Sequence, residues 1–207
     1  MRLVLVRHGE SEGNAGNPFE GAEPHLTERG RRQARYAAER ARQRTYQALY
    51  TSPMSRALET ACALAEATGL EPLVSVDLAE FRELPEFRGF SRSFLESRYP
   101  RVALPDDCTE EGWWTGIEEH EEALYERAGR AAAWLRERHE ATDDRVCLVT
   151  HGGFGSALLS VFLGLPPCGY MRFWQANCGY SIVDVEPGLV RLLKLSCTRH
   201  IPPEDRT

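Results

Sequence analysis

The sequence contains a single lysine, Lys194, and none of its six cysteines stands in a C-x-x-C pair. This spacing favours neither a zinc site nor a disulfide framework, and it fits a reduced, cytoplasmic setting. No apolar run approaches the roughly 20 residues of a membrane-spanning helix, and the first apolar run is too short for a signal peptide. We therefore expect a soluble, cytoplasmic protein.

Positive charge is also in deficit. The chain has 25 Lys and Arg residues against 31 Asp and Glu residues, which gives a formal net charge of -6. Such a surface repels polyanions, so we expect neither nucleic acid nor an acidic membrane as a partner. The HExxH pattern, the Walker A glycine loop and any aspartate-rich ligand cluster are missing as well. The sequence thus indicates no metal and no cofactor.

The length and the pattern of the chain predict its fold class. With 207 residues, of which 42% are hydrophobic, we expect a single domain over residues 1–207. Short apolar runs alternate with segments of helical periodicity, which predicts a three-layer α/β/α fold around a mostly parallel sheet. We expect the tail, residues 197–207, to be frayed or to lie on the surface. Strands are predicted at 3–6, 48–51, 72–76, 146–150, 179–185 and 189–195, and helices at 27–44, 53–68, 117–139 and 154–163.

Two of the predicted strands are followed by a histidine and a glycine. His8 and Gly9 follow the first strand, and His151 and Gly152 follow the strand that begins at Val146. Because the ligand crevice of an open α/β sheet lies beyond the carboxyl ends of its parallel strands, both imidazoles are expected in one crevice. The remaining histidines stand in polar surroundings and are expected on the surface: His25, His120, His139 and His200.

Two arginines, Arg7 and Arg56, also come shortly after predicted strands. A guanidinium group grips phosphate oxygens bidentately, so the crevice suits a phosphate dianion. The same positive charges disfavour protonation of a nearby histidine, which must attack phosphorus as the neutral imidazole. These residues together indicate phosphoryl chemistry on histidine.

Four motifs, in this order over residues 3–155, resemble the histidine phosphatase superfamily, which includes the cofactor-dependent phosphoglycerate mutases. The lone Arg-His-Gly triplet is a weak signal, whereas the ordered set is specific. The motifs are Arg7-His8-Gly9-Glu10-Ser11 with Asn14, Leu26-Thr27-Glu28-Arg29-Gly30 with Gln33-Ala34, Ser52-Pro53-Met54-Ser55-Arg56-Ala57 with Glu59-Thr60, and Thr150-His151-Gly152-Gly153.

The resemblance implies a role for each of the residues at the strand ends. His8 would be the phosphorylated nucleophile, Arg7, Arg56 and His151 would form the phosphate pocket, and Asn14 would contribute a further donor.

Two more residues of the motifs are candidates for phosphate binding. Ser11 can donate a hydrogen bond through its hydroxyl group, and Gly152 can donate through its backbone N–H. A glycine that permits a tight turn is an equally good reading of Gly152.

The proton donor for the leaving group has two candidates. Family members carry it as the glutamate of a Leu-x-Glu triplet after the third strand, and Leu78-Ala79-Glu80 matches that triplet. Phe81-Arg82-Glu83 is a looser match. We prefer Glu80 on motif fit, and because the glycine spacing common after this glutamate is missing here, Glu83 stays open.

The leading function is a metal-independent phosphomonoesterase of the histidine acid phosphatase type, acting on a small phosphorylated metabolite through phosphohistidine. A phosphoglycerate mutase-type phosphotransferase uses the same groups and is the first alternative. A non-catalytic phosphate-binding module is the second. A homodimer is left open.

Residues 81–116 are unusually rich in aromatic side chains and are expected to form a lid that selects the substrate. Such a lid would favour an apolar or aromatic substrate over a small, highly charged sugar phosphate. The alternative is that these rings only pack the helices onto the core. The rings are Phe81, Phe87, Phe90, Phe94, Trp113 and Trp114.

Overall fold

The computed structural model describes residues 1–17, 23–81, 87–114, 118–169 and 171–207. The strands in these ranges are β1 (Arg2–Arg7), β2 (Ala48–Thr51), β3 (Pro72–Val74), β4 (Arg145–Thr150), β5 (Tyr180–Glu186) and β6 (Leu189–Cys197). The α-helices are α1 (Glu12–Ala15), α2 (Glu28–Arg42), α3 (Ser55–Thr68), α4 (Arg92–Arg98), α5 (Glu121–His139) and α6 (Gly152–Phe162). No helix of the described ranges is long and apolar enough to cross a membrane.

The six strands form one sheet in the order β3-β2-β4-β1-β5-β6. The first four strands of this order are parallel to one another, whereas β5 pairs antiparallel with β1 and β6 pairs antiparallel with β5. This mixed, mostly parallel sheet confirms the predicted α/β fold class.

Helices cover both faces of the sheet, as the alternation of side chains along a strand requires. From β1, Leu3 and Leu5 point into a core shared with α5 and α6, while Val4 and Val6 point into a second core shared with α2 and α3. Each of these four side chains is at most 5% exposed. A strand that is buried on both faces explains why β1 reads as a continuous apolar run.

Several elements differ from the predicted pattern. Strand β3 ends at Val74, and a 3₁₀ turn over Val76–Leu78 follows it. The short helices α1 and α4 were not predicted from periodicity, because four and seven residues are too few to show an apolar stripe. Each begins with a serine cap, since Ser11 Oγ accepts from the N–H of Asn14 and Ser91 Oγ accepts from the N–H of Phe94.

The expectation of a frayed or superficial tail is wrong. Ile201 is 1% exposed and packs in the core beneath α2 and α3, and Asp205 is 5% exposed. The Arg32 guanidinium of α2 donates to both carboxylate oxygens of Asp205, with a shortest N–O distance of 2.6 Å. Burial of one apolar side chain together with this bidentate ion pair fixes the tail against α2.

The expectation that His139 lies on the surface is also wrong. Its side chain lies between the hydroxyl group of Tyr50, 2.9 Å from Nε2, and the carboxylate of Asp144, 2.8 Å from Nδ1. The acidic and basic residues around it in the sequence hide the fact that its own position on α5 faces the sheet.

The aromatic segment 81–116 is described only in part, because residues 82–86, 115 and 116 lie outside the described ranges. Phe87 and Trp113 are 6% and 4% exposed and form an edge-to-face pair with ring centroids 5.2 Å apart. They belong to a third core cluster with Met54 and Leu58, so these two rings act in packing. That the segment covers the pocket stays a prediction.

Candidate active site

The parallel register of β1 and β4 brings the two motif histidines together. Arg7 and Thr150 are paired at the ends of these strands, so His8 and His151 follow at the same edge of the sheet. Their ring centroids are 5.0 Å apart and the rings are tilted by 57°. His8 is 2% exposed and His151 is fully buried. Residues 143 positions apart therefore share one site, as the strand-end argument predicts.

The hydrogen bonds of His8 define its tautomer. Nδ1 lies 2.6 Å from the carbonyl oxygen of Gly9, which can only accept, so Nδ1 carries the proton of the neutral ring. Nε2 then holds the lone pair, and it accepts a hydrogen bond from Nε of Arg56 at 3.2 Å. The neutral ring thus presents a basic nitrogen toward the arginine.

The surroundings of His8 also keep the ring neutral. Burial lowers the pKa of His8 well below its usual 6.5, and the positive charges of Arg56 and Arg7 lower it further, against an opposing effect of the Gly9 carbonyl. The lone pair on Nε2 is therefore present at neutral pH. A neutral, oriented imidazole is the form in which histidine acts as a nucleophile.

Arg7 lies beside the first residue of α6. Its Nη1 donates to the backbone carbonyl of Gln175 at 2.7 Å, and its guanidinium carbon lies 5.8 Å from the centroid of the Trp174 ring. A Cβ atom placed on Gly152 would lie 3.6 Å from Nε of Arg7. The backbone at Gly152 and the guanidinium group of Arg7 are therefore neighbours in the site.

Arg56 is the second residue of α3 and is 8% exposed. Besides contacting His8, its Nη2 lies 3.5 Å from the sulfur of Met54. The preceding residue, Ser55, donates its backbone N–H to Oε2 of the buried Glu23 at 2.7 Å. A buried carboxylate thus lies at the start of the helix that carries Arg56, where the positive end of the helix dipole stabilises it.

His151 occupies the N-cap position of α6. Its Nε2 lies 2.8 Å from Oγ of Ser52, which follows the neighbouring strand β2 and also accepts from the N–H of Met54 at 3.2 Å. The partial positive charge of the N-terminus of α6 is directed toward this part of the site. An anion is favourable at this helix start, and the anion present there is the carboxylate of Glu80.

Glu80 also lies at the start of α6. Its Oε2 accepts from the N–H of Gly153 at 3.1 Å, and its Oε1 accepts from the N–H groups of Phe154 at 2.8 Å and Phe81 at 2.9 Å. The carboxylate therefore caps the helix that begins directly after His151. This contact places Glu80 at the candidate site, and its role as proton donor stays a prediction.

Arg127 of α5 holds the segment that leads to Glu80. Its Nη1 donates to the carbonyl groups of Asp77 at 2.8 Å and Ala79 at 2.7 Å, and its guanidinium group pairs with Glu119 at 2.6 Å. Both partners of this ion pair are nearly fully buried. The alternative proton donor, Glu83, lies outside the described residues.

The side chains of Ser11 and Asn14, the two donors expected from the first motif, both accept hydrogen bonds within the protein. Ser11 uses its Oγ to cap α1, and Asn14 uses its Oδ1 to accept from Nδ2 of Asn177 at 3.1 Å. The binding of phosphate by Ser11, Asn14 and Gly152 stays a prediction.

Asn177 is a residue of the site that the sequence did not reveal. Its Nδ2 donates to the backbone carbonyl of His8 at 3.0 Å and to Asn14, and its Oδ1 accepts from the hydroxyl group of Thr207 at 3.1 Å. Glu23 was missed as well, whereas Ser52 was named as part of the third motif without a role of its own. Neither Asn177 nor Glu23 stands in a spacing with its partners that a pattern could have found, because each contact is made between distant segments.

The described residues contain no group of three or more His, Cys, Asp or Glu side chains that could hold a metal ion.

The fold and the site together define an α/β protein in which two buried imidazoles and two arginines meet at one edge of the sheet. A sequence profile of the histidine phosphatase superfamily (branch 1) matches residues 3–198. The chain belongs to the histidine phosphatase superfamily.

The relatives include both phosphatases and a probable mutase. The chain is 31% identical over 196 residues to the probable phosphoglycerate mutase GpmB of Yersinia enterocolitica, which covers 90% of this chain and 86% of the relative. It is 28% identical over 207 residues to phosphoserine phosphatase 1 of Hydrogenobacter thermophilus, which covers 97% and 94%. Its structure is similar to that of a mycobacterial glucosyl-3-phosphoglycerate phosphatase complexed with VO3, with a TM-score of 0.68, 25% identity and coverage of 95% and 99%.

Proposed function

We propose that this protein is a metal-independent phosphomonoesterase that hydrolyses a small phosphorylated metabolite through a phosphohistidine intermediate on His8. The observation that carries the proposal is the pair of imidazoles 5.0 Å apart, in which Nε2 of His8 faces Arg56. The relatives that are phosphatases for phosphoserine and glucosyl-3-phosphoglycerate support it.

The first half-reaction transfers the phosphoryl group to His8. Arg7, Arg56 and His151 bind the phosphate oxygens, and Arg56 then donates to them rather than to Nε2. The freed lone pair attacks phosphorus, the N–P bond forms, and the ester P–O bond breaks. Fixed positive charge stabilises the loose transition state, whose negative charge is spread over the equatorial oxygens.

Glu80 balances the protons of both half-reactions. Its carboxyl group gives a proton to the departing alkoxide, so the alcohol leaves neutral. In the second half-reaction a water molecule attacks phosphorus, the N–P bond breaks, and Glu80 takes the proton of the water. Phosphate leaves, and His8 returns as the neutral ring.

The test compares wild-type protein with His8→Ala on a panel of phosphomonoesters that includes phosphoserine and 3-phosphoglycerate. We expect phosphate release to fall by at least about 10³-fold in the variant, and we expect ³²P from a labelled substrate to be trapped on His8 of the wild type only. Excess chelator should leave the rate unchanged. Equal turnover by the variant, label on another residue, or loss of activity in chelator would each contradict the proposal.

A phosphoglycerate mutase-type transfer is the second candidate, and the similarity to a probable phosphoglycerate mutase favours it. The mutase hands the phosphoryl group of His8 to a second hydroxyl group instead of water. Incubation with 3-phosphoglycerate distinguishes the two, since a mutase yields 2-phosphoglycerate with little free phosphate. We expect free phosphate as the main product.

A further inference from the structure

The segment 171–175, called here the rim, lies beside Arg7 and Gly152 of the candidate site. The Gln175 carbonyl accepts from Nη1 of Arg7, and the Trp174 ring lies 5.8 Å from the guanidinium carbon. A Cβ atom placed on Gly152 would lie 3.3 Å from Cε of Met171. The rim thus contacts the residue that would hold phosphate and the helix start beside it.

The backbone of the rim is fixed to α6. Oγ of the buried Ser156 accepts from the N–H of Arg172 at 2.8 Å and from the N–H of Phe173 at 2.9 Å. Phe173 packs against the core that α5 and α6 share, and Gln175 is 1% exposed. A rigid support of this kind holds a side chain in place at a binding site better than a free loop does.

Trp174 stands out from this fixed backbone because 64% of its surface is exposed, more than for any other large apolar side chain of the described residues. An indole ring offers a flat apolar face, and burial of that face on a ligand is favourable. The ring is adjacent to Arg7, so the alcohol part of an ester whose phosphate is bound by Arg7 lies within reach of it. The rim also contains the apolar Met171, which lies beside Gly152, and the cationic Arg172.

We propose that Trp174 is a specificity-determining residue that stacks against a planar aromatic group in the alcohol part of the substrate. The proposal rests on the phosphomonoesterase function and names the substrate class for it: phosphate esters whose alcohol carries an aromatic ring one or two bonds from the ester oxygen. An acyclic alcohol presents no flat face and gains little from the indole.

The experiment measures kcat/KM for benzyl phosphate and glycerol 3-phosphate, which are both esters of primary alcohols, the first with an aromatic ring and the second with two hydroxyl groups in its place. Trp174→Ala should lower kcat/KM for benzyl phosphate about five- to tenfold, mainly through KM. Glycerol 3-phosphate should change less than twofold. Trp174→Phe keeps an aromatic face, so it should retain most of the preference for benzyl phosphate that Trp174→Ala loses.

Leu193→Ala is the matched control, because Leu193 is a large apolar side chain that is 47% exposed and lies on β6, outside the segment predicted to cover the pocket. It should leave the ratio of the two kcat/KM values unchanged. An equal change on both esters in Trp174→Ala, no change on either, or a shift of the ratio in Leu193→Ala as large as in Trp174→Ala would overturn the inference.

A binding measurement keeps the inference separate from the proposed function. In a His8→Ala background, benzyl phosphate should quench tryptophan fluorescence, and Trp174→Phe should remove that quenching. If wild-type protein hydrolyses neither ester, the proposed function fails, and the quenching still reports whether the ring docks on Trp174. The inference alone fails if both esters are hydrolysed, Trp174→Ala leaves the ratio of their kcat/KM values unchanged, and benzyl phosphate does not quench the fluorescence of Trp174.

Discussion

At the residue scale, the protonation of His8 follows from its neighbours. The Gly9 carbonyl fixes the proton on Nδ1, and burial with two arginines keeps the pKa of the ring well below 6.5. Arg56, the arginine that we propose binds phosphate, donates to the lone pair of Nε2. Under the proposed function, binding of the anion would draw Arg56 to the phosphate oxygens and so would both position the phosphorus atom and release the nucleophile.

Glu80→Gln separates helix capping from proton donation, because glutamine keeps an acceptor oxygen but has no acidic proton. If Glu80 is the proton donor, kcat for alkyl phosphates should fall about 10²- to 10³-fold. For p-nitrophenyl phosphate the loss should stay below about fivefold, since p-nitrophenolate leaves without a proton. Steady-state kinetics on a series of leaving groups makes the comparison.

Glu83→Gln is the control for this test, and we expect no dependence on the leaving group from it. A leaving-group-dependent loss in Glu83→Gln would transfer the role to that residue. Small equal losses on all esters in Glu80→Gln, together with a lower melting temperature, would mean that Glu80 only caps α6.

The residues that could be predicted are those for which strand position determines side-chain position. His8 and His151 meet because both directly follow paired strands, and Arg7 and Arg56 follow from the same logic. Asn177 could not be predicted, because it acts through the backbone carbonyl of His8, and any residue has such a carbonyl. The capping contact of Glu80 was also hidden, since it depends on where the 3₁₀ turn after β3 directs the chain.

At the element scale, the start of α2 fixes the loop that follows His8. A Cβ atom on Gly9 would lie 2.5 Å from the carbonyl oxygen of Gly30, and one on Gly30 would lie 1.9 Å from that of Glu10. Thr27 caps this helix by accepting from the N–H of Gly30. The backbone at Gly9 and Glu10 in the first motif is therefore in contact with the backbone at Gly30 in the second motif. The second motif thus has a structural role.

Gly30→Ala should lower the free energy of unfolding by about 2 kcal/mol or more, because its Cβ overlaps backbone that cannot rotate away. Gly129→Ala in α5 is the matched control, since a Cβ there meets nothing within 4 Å, and it should raise stability by about 0.5 to 1 kcal/mol. Urea denaturation measures both. Equal stability of the two variants would contradict the close approach.

The elements that sequence reasoning located best are long or buried on both faces. The apolar runs of β1 and β4 and the alanine stripe of α2 were found within two residues of their bounds. Helix α4 was missed because its seven residues show no stripe of apolar side chains. Its buried residue, Leu95, belongs to the core cluster that contains Met54 and Trp113, so its packing depends on distant segments. Local pattern is weak where tertiary contacts dominate.

At the scale of the whole molecule, the tail joins parts of the chain that the sheet does not connect. Gln33 of α2 accepts from the N–H of Glu10 and donates to the carbonyl of Asp205 and the hydroxyl of Thr207. Thr207 in turn contacts Asn177, which holds the His8 carbonyl. The composition of the tail, rich in proline and charge, suggests a loose segment, and only the distant partners make it an ordered one.

His200 lies in this tail and makes the stability of the fold depend on pH. The centroid of its ring lies 5.4 Å from that of Tyr180, and burial, together with the charges of Arg40 and Arg206, lowers the pKa of His200 to about 4. In the unfolded chain the same ring titrates near 6.5. Between these two values the unfolded state binds the proton that the folded state rejects.

The free energy of unfolding should therefore fall as pH is lowered from about 6.5 to about 4 and should lose no more from this residue below that range. Because His200 is only half-buried, solvent screening reduces its share to about 1 to 2 kcal/mol. His200→Asn removes the titrating group. The difference in the free energy of unfolding between wild type and variant should therefore change by that amount between pH 6.5 and pH 4, because His8 and the carboxylates contribute equally to both proteins. Urea denaturation at pH 7, 5.5 and 4 measures this difference. If the free energies of unfolding of the two proteins change in parallel with pH, the pKa of His200 is not lowered in the folded protein, and the prediction is wrong.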